Sequence, residues 1–366
     1  MIPPLTLFRY LCARLLLTVG LLYLIFSSLI ILIDLIENLR FSGKVEGADF
    51  VFALRITLLR TPALVQTLTP FIFLFGAIAA FSQLNRRSEL AVMRSAGVSV
   101  WRVLGPSIIL AITFGTAIVL IVDPTSAKML AHAEQLKNDV RGKKSDLVRV
   151  LGDGIWLRQR TDDALSLINA REFDAEKAVL QQVTIWRLDP EDASFRERID
   201  SPQAVFTGNT ITLRDARAKN STDQRARFAP TMMVESTLTA ADLTGRVSPP
   251  ETMPIWELPR FAKLAETAGL PTIRYEIRFH DLLSTPVKLM AMVLIAAIFS
   301  FRPWRQGGVV QLMLLSVTAG FALYILTEVS LAIGESGVAP PSLAAWTPSI
   351  AASLFAITRL LQIEDG

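Results

Sequence analysis

The residues best suited to specific chemistry crowd into one stretch, Gln83-Leu-Asn-Arg-Arg-Ser-Glu-Leu-Ala-Val-Met-Arg-Ser-Ala-Gly97-Val-Ser-Val-Trp101-Arg102. One carboxylate, Glu89, stands among Arg86, Arg87 and Arg94, a pattern suited to charge-assisted docking rather than to making or breaking bonds. Ser88 is placed to cap a helix. Glu89 would then lie in the first turn, where the helix dipole favours a carboxylate, and Gly97 would end the helix. Leu90, Met93 and Ala96–Gly97 fall on one face, so the stretch predicts a short amphipathic helix at about 84–97. Such a helix can rest on lipid headgroups or dock into a cleft on another protein. The amphipathic pattern by itself favours rest on the lipid surface, and the carboxylate tilts only slightly toward a protein partner.

Other reactive groups are sparse. His132 and His280 are far apart and lack metal-site spacing, so they read as solvated or locally satisfied. A single cysteine, Cys12, excludes an internal disulfide and a cysteine-based metal cluster. Gly142-Lys-Lys-Ser145 lacks the upstream glycine of a phosphate-binding loop and reads as a basic turn. The acidic residues are scattered over turns. The sequence therefore predicts no catalytic residue, no metal site and no directly bound cofactor. Any ATP and Mg would sit on a separate ATPase.

The elements that must carry the docking stretch follow from the charge distribution. Residues 123–281 hold 47 of the 70 Asp, Glu, Lys and Arg residues, and the other 207 residues hold 23. The chain is thus built for lipid at both ends and water in the middle. Its mean hydropathy is +0.43. A spanning helix needs roughly 20 apolar residues, which predicts spans at about 15–36, 56–81, 103–122, 282–301, 308–333 and 343–361. The run Leu15–Ile33 is too long for a signal-peptide core and no cleavage site follows it, so it reads as a retained first span. Net charge is +4, but residues 123–281 sum to −1, so the basic excess lies beside the membrane and reads as orientation, not nucleic-acid binding. With the N-terminus inside, nine arginines (9, 14, 86, 87, 94, 102, 302, 305 and 359) fall on the cytoplasmic side, against Arg40, Lys44 and Arg55 outside. Both termini are then cytoplasmic and the polar block is extracytoplasmic, periplasmic in a Gram-negative cell. Arg60, Lys288 and Glu328 lie within or at the ends of spans. Lys288 is the deepest and suits a cavity contact or an ion pair.

The polar block opens with a helical stretch, 124–141, and then changes to short β-like runs: Leu147–Leu151, Ile155–Gln159, Ala164–Ala170, Gln182–Leu188, Ala204–Thr207, Thr210–Leu213 and Pro230–Leu238. Turn pieces such as Gly152-Asp-Gly154 and Thr207-Gly-Asn209 separate them, which predicts an antiparallel sandwich, jelly roll or open barrel. Residues 255–268 suit a short amphipathic helix. The fold class is an α-helical membrane protein of six transmembrane helices with an inserted all-β, jellyroll-like extracytoplasmic domain. Its divisions are 1–122, 123–281 and 282–366.

Ser88-Glu-Leu-x-x-Met93-Arg-Ser-x-Gly97, with this three-plus-three layout, resembles the LptF/LptG permeases of lipopolysaccharide export. Arg9-Tyr10, Gly154-Ile-Trp156 and Arg274-Tyr-Glu-Ile-Arg278 extend the likeness over essentially the whole chain, nearer to the LptG side of the family. The resemblance implies one half of a heterodimeric permease. Its partners would be an LptF-like subunit, a dimeric cytoplasmic LptB-like ATPase and a single-span periplasmic LptC-like protein, and its cargo lipopolysaccharide taken from the inner membrane. It assigns Arg86, Arg87, Glu89, Leu90, Met93, Arg94 and Gly97 to the ATPase contact. It points to Asp34, Glu37 and Arg40, near the outer end of span one, as lipid-binding candidates. An outward-opening cavity walled by spans one and five makes Leu21, Leu24, Phe26, Leu315, Phe321 and Tyr324 further candidates, and Lys288 of span four joins them as the deepest intramembrane charge. Asp34 and Glu37 depart from the more basic pattern of the family, against a simple phosphate clamp. Two other readings fit the layout: the permease of a different lipid or lipoprotein exporter, or a membrane-anchored scaffold or sensor whose β-domain binds a partner. Reporter fusions at residues 90 and 200 should report opposite sides of the membrane; the same side for both overturns the topology.

Overall fold

The computed structural model describes residues 5–43, 49–140, 147–151, 154–160, 164–174, 179–189, 194–207, 210–220, 226–236, 249–267, 271–301 and 309–365. The basic turn at 142–145, the turn residues 152–153 and 208–209, and Lys44, Arg302 and Arg305 lie outside the described residues. The chain divides into two units, residues 1–133 with 276–366, and residues 134–275.

In the first unit, helix α1 runs Leu5–Ser42, α2 Phe50–Arg86, α3 Glu89–Ser95 and α4 Val100–Ala117. A π-turn, Ile118–Val122, leads into α5, Asp123–Val140. After the β-domain come α7 (Ile273–Leu283), α8 (Thr285–Ser300), α9 (Val309–Glu335) and α10 (Pro341–Asp365). Five of these stretches are long and apolar enough to cross a membrane, or six when the bent pair α7–α8 is one span. The bend is 51°. It falls where Pro286 withholds a backbone N–H from the helix ladder. Pro124 explains the π-turn in the same way: the Asp123 amide bonds the Ile118 carbonyl one residue further back than an α-helix allows. At 38 residues, α1 is about 57 Å long and outruns a hydrocarbon core of about 30 Å. The sequence limits of 15–36 for this span marked only its apolar centre.

The core of this unit is one apolar cluster centred on α2, with Phe73, Leu74, Ala77 and Phe81 buried against residues of α1, α4 and α8. Helices α4 and α8 approach closely at Gly115. A Cβ there would lie 2.6 Å from the Pro286 Cα, so any larger side chain would push the helices apart.

Charges among these helices are paired. Asp34 is only 4% exposed. It accepts a bond from Arg60 Nη1 at 2.7 Å and one from Asn38 Nδ2 at 2.8 Å, and Asn38 also donates to the Thr57 hydroxyl at 3.0 Å. Asp123 is held by Arg278 at 3.3 Å and by the Gln66 amide at 3.3 Å, and the Ser126 hydroxyl donates to Gln66 at 2.9 Å. Lys288 pairs with Asp281 across the α7–α8 bend.

Among the described residues, the second unit forms a seven-stranded antiparallel sheet in the order β1-β2-β3-β4-β5-β6-β7, so every neighbour is sequential. Its strands are Leu147–Leu151, Gly154–Arg160, Leu165–Asp174, Val179–Leu188, Phe195–Thr207, Thr210–Asn220 and Arg227–Glu235. Helix α6, Leu258–Thr267, contributes Ala265, Phe261 and Leu264 to the apolar interior formed by Ile155, Ile168, Phe173 and Leu213. Gln182 and Asp215 take positive φ at irregularities in the ladder, which increase local twist. The sheet curls far enough for the buried Gln159 of β2 to donate to the Glu235 carbonyl at 3.2 Å and accept from the Ser236 hydroxyl at 2.9 Å. Strand β5 begins nine residues earlier than the apolar run 204–207 indicated. Its first half is charged and is held by cross-strand bonds instead, Arg187 to Glu197 at 2.7 Å and Thr184 to Asp200 at 2.8 Å.

Removing Arg60 leaves the Asp34 carboxylate buried without its cation. Arg60→Ala should cost about 3–5 kcal/mol, and Arg60→Met with Asp34→Leu much less. Thermal unfolding in detergent measures this; an unshifted transition in Arg60→Ala shows that the pair contributes nothing.

Candidate functional site

The helix expected at 84–97 is shorter: residues 84–86 end α2, and a seven-residue helix, α3, follows a two-residue joint. Arg87 and Ser88 make that joint. Ser88 does not cap α3 with its side chain, contrary to the sequence expectation: its φ is +58° and its hydroxyl makes no capping bond. The tight reversal demands a left-handed residue, and Ser88 bonds through its backbone instead, to the Asn85 carbonyl at 2.9 Å. The other end follows expectation. Gly97 has φ +78°. Its amide bonds the Arg94 carbonyl at 3.0 Å and the Val98 amide bonds the Met93 carbonyl at 3.0 Å, a Schellman termination that glycine permits.

Leu90 is buried and Met93 half-buried against the apolar cluster, so these two residues hold the helix to the bundle. Arg86, Arg87 and Arg94 are exposed. Val92, which the sequence reading passed over, is 64% exposed on the outward side. Glu89 faces α1. Tyr10 donates to its Oε2 at 2.7 Å, and Arg14 Nη1 lies 3.0 Å from Oε2 and 3.2 Å from Oε1. Arg14 also bonds Tyr10, and its Nη2 donates to Gln83 of α2 at 3.4 Å. One guanidinium thus ties α1, the end of α2 and α3. Partial burial raises the Glu89 pKa, but the bonds from Tyr10 and Arg14 and the charges of Arg14 and Arg87 outweigh it and hold the carboxyl below its ordinary value. Sequence reasoning missed Tyr10 and Arg14 as partners of Glu89. The available signal was their spacing of four, which puts them on one helical face.

The lipid-binding candidates separate into groups. Leu21 and Leu24 are 60% and 72% exposed along α1, and Glu37 and Arg40 are exposed near its end. Asp34 is turned inward to Arg60, and Lys288 to Asp281. Phe26 stacks on Phe75 at 6.2 Å. Phe321 and Tyr324 of α9 pack on Phe71 at 6.4 and 5.0 Å. Phe71 and Phe75 lie one turn apart on α2, so α2 supplies an aromatic bridge between the candidates of α1 and those of α9. Leu315 is exposed on α9, outside this cluster. A groove of about 640 Å³ opens between α8, α9 and α10, lined by Ile298, Leu323, Ala352 and Phe355 with Arg359 at its polar end. Among the described residues no cluster of His, Cys, Asp and Glu could hold a metal.

A family model described as "Lipopolysaccharide export system permease LptF/LptG" matches residues 9–362 of the chain. A Haemophilus influenzae protein called lipopolysaccharide export system permease protein LptG is 24% identical over 328 residues, covering 86% of this chain and 87% of that protein. The protein of the same name from Escherichia coli K12 is 23% identical over 390 residues, covering 98% of each.

The low pKa of Glu89 has a consequence in solution. Its bonds to Tyr10 and Arg14 should contribute stability at and above the ordinary glutamate value of 4.5, and lose it as pH falls through the lower folded value. An environment-sensitive probe at Val92→Cys, in a Cys12→Ser chain, should report α3 loosening from α1 as pH falls through that value. The same transition in a Glu89→Gln chain overturns the assignment.

Proposed function

This chain belongs to the LptF/LptG family of lipopolysaccharide export permeases, and from that premise we propose that it extracts lipopolysaccharide from the inner membrane as one subunit of an ATP-driven exporter. The match over residues 9–362 carries the reading. The apolar helices make the chain a multi-pass membrane protein. The remaining parts of the proposal are an LptF-like second subunit, a dimeric LptB-like ATPase in the cytoplasm, an LptC-like partner in the periplasm, cytoplasmic termini and a periplasmic β-domain. The excess of arginine on the short loops of one side supports this orientation.

The cost of extraction supports this division of labour. Each methylene withdrawn from the bilayer costs about 0.8 kcal/mol, so an acyl chain of a dozen carbons costs on the order of 10 kcal/mol. The chain has no phosphate-binding loop, and the work is assigned to the partner ATPase, which would hold ATP and Mg. We assign α3 as the docking helix: Arg86, Arg87, Glu89, Arg94 and the Gly97 turn meet the ATPase, with Leu90 and Met93 as its footing. The exposed apolar flank of α1, with Leu21 and Leu24, and the aromatic set of Phe26, Phe321 and Tyr324 form one half of a lipid cavity. Leu315 extends the α9 side, and Glu37 and Arg40 stand at the end of α1 where a charged headgroup would emerge. Closing the cavity expels the lipid toward the β-domain and a periplasmic bridge. Asp34 and Lys288 act by bracing helices through their ion pairs.

Gentle detergent purification should yield the chain with an ATPase and bound lipopolysaccharide. Glu89→Ala should insert normally and lower lipid release by tenfold or more, as about 1.5–3 kcal/mol per lost bond to a charged group implies. Failed insertion, or unchanged release, refutes the docking role.

A further inference from the structure

The carboxylate assigned to the motor contact is bound inside the chain by the helix that carries the lipid-facing leucines. We propose that Tyr10 and Arg14 are positioning residues that make α3 and the inner end of α1 move as one body, so that displacement of α3 reaches the lipid-contacting flank of α1 directly. This inference rests on the reading of α3 as the docking helix.

Three observations carry it. First, the contact is chemically strong: Glu89 accepts from the Tyr10 hydroxyl at 2.7 Å and from Arg14 through both oxygens, at 3.0 and 3.2 Å. Bonds to charged groups are the strong ones, and the Arg14 side chain at their centre is 10% exposed, between a Glu89 side chain 27% exposed and Tyr10 at 42%. Second, the tie is made by side chains. Helix α3 packs its backbone on α2, whereas α1 and α3 scarcely approach each other. Without Tyr10 and Arg14, α3 would answer to α2 and to its own continuation into α4. Third, α1 is suited to receive the motion. Leu11, Leu15 and Val19 seat one side of it in the core, while Leu17, Leu21 and Leu24 project from the other. A helix is stiff along its axis, so a shift at Tyr10 and Arg14 carries to Leu24, ten residues or about 15 Å beyond Arg14. Gln83, at the end of α2, receives the second amino group of Arg14 and fixes the guanidinium between the helices.

The test uses the assembled exporter in nanodiscs. Tyr10→Phe with Arg14→Gln removes the tie and leaves Glu89 and its arginine neighbours in place. The ATPase should copurify with this variant, while lipid released per ATP falls about tenfold, the effect of losing roughly 1.4 kcal/mol of coupling. Arg14→Lys, which keeps the charge beside Glu89 but not the fork to Gln83, should give a yield between those of the native chain and Arg14→Gln. Spin labels at Leu17→Cys and Val92→Cys, in a Cys12→Ser chain, read the mechanical claim. Their distance distribution should stay narrow through the nucleotide cycle with the native tie, and broaden without it. Tyr10→Phe alone removes the two hydrogen bonds of the hydroxyl, to Glu89 and from Arg14, but keeps the Arg14–Glu89 pair, and serves if the double variant does not insert; it should lower the yield partway. Unchanged lipid per ATP, or an unchanged distance distribution in the untied chain, overturns the proposal. A native chain that copurifies with no ATPase instead overturns the docking reading on which it rests.

Discussion

A charge placed among apolar helices must find an opposite charge, because neither lipid nor packed side chains can solvate it. That constraint fixes much of the membrane unit. Asp34 meets Arg60, Asp123 meets Arg278, and Asp281 meets Lys288. Each pair joins two helices or two halves of a bent one. The first locks α1 to α2 and the second joins α5 to α7, the helices that leave and re-enter this unit. The third spans the bend between α7 and α8. Apolar packing alone would hold these helices together but would let them slide. A buried pair gives each contact one register, since moving either partner by a turn strands a charge.

Around these fixed points α2 serves as the common neighbour. Its buried face packs against α1, α4 and α8, and its Phe71 and Phe75 reach toward α9 and α1 respectively. Proline interrupts the α2 ladder twice, at Pro62 and Pro70, and the helix nevertheless continues from Phe50 to Arg86. Each removes one amide from the ladder, the one that would bond the Leu58 or the Gln66 carbonyl, and the bundle packed around α2 tolerates such breaks.

The partition between lipid and water was legible in the sequence because it is written in runs of 20 residues, too long to arise from a soluble core. The Gly97 stop was legible because few other residues tolerate its conformation. Pairing was not. Asp34 and Arg60 are 26 positions apart and Asp123 and Arg278 are 155 apart, and nothing in a single sequence says which charge meets which. Helix extents failed for a related reason: α1 and α2 run past the charge-free stretches that defined the spans, through turns that mix apolar residues with Arg9, Arg14, Arg40, Arg55 and Arg86. The first half of β5 was hidden because its ladder is held by charges, where a strand reading looks for β-branched and aromatic side chains. At the site, Glu89 stood out by its company of arginines. Its partners Tyr10 and Arg14 looked like ordinary membrane-flanking residues until the fold brought them within hydrogen-bond reach. Ser88 shows the limit of reading caps from composition, since the joint it occupies left no room for the backbone angles a cap requires.

The strict sequential pairing of the sheet bears on how the chain is made. Each strand finds its neighbour in the segment synthesised just before it, so the ladder can zip from β1 onward without holding an orphaned strand for a distant mate. The bond from Gln159 to the Glu235 carbonyl spans 76 residues and can close only after the seventh strand arrives. Closure of the sheet therefore waits for its last strand, and α6, later still in the chain, then covers part of the apolar interior.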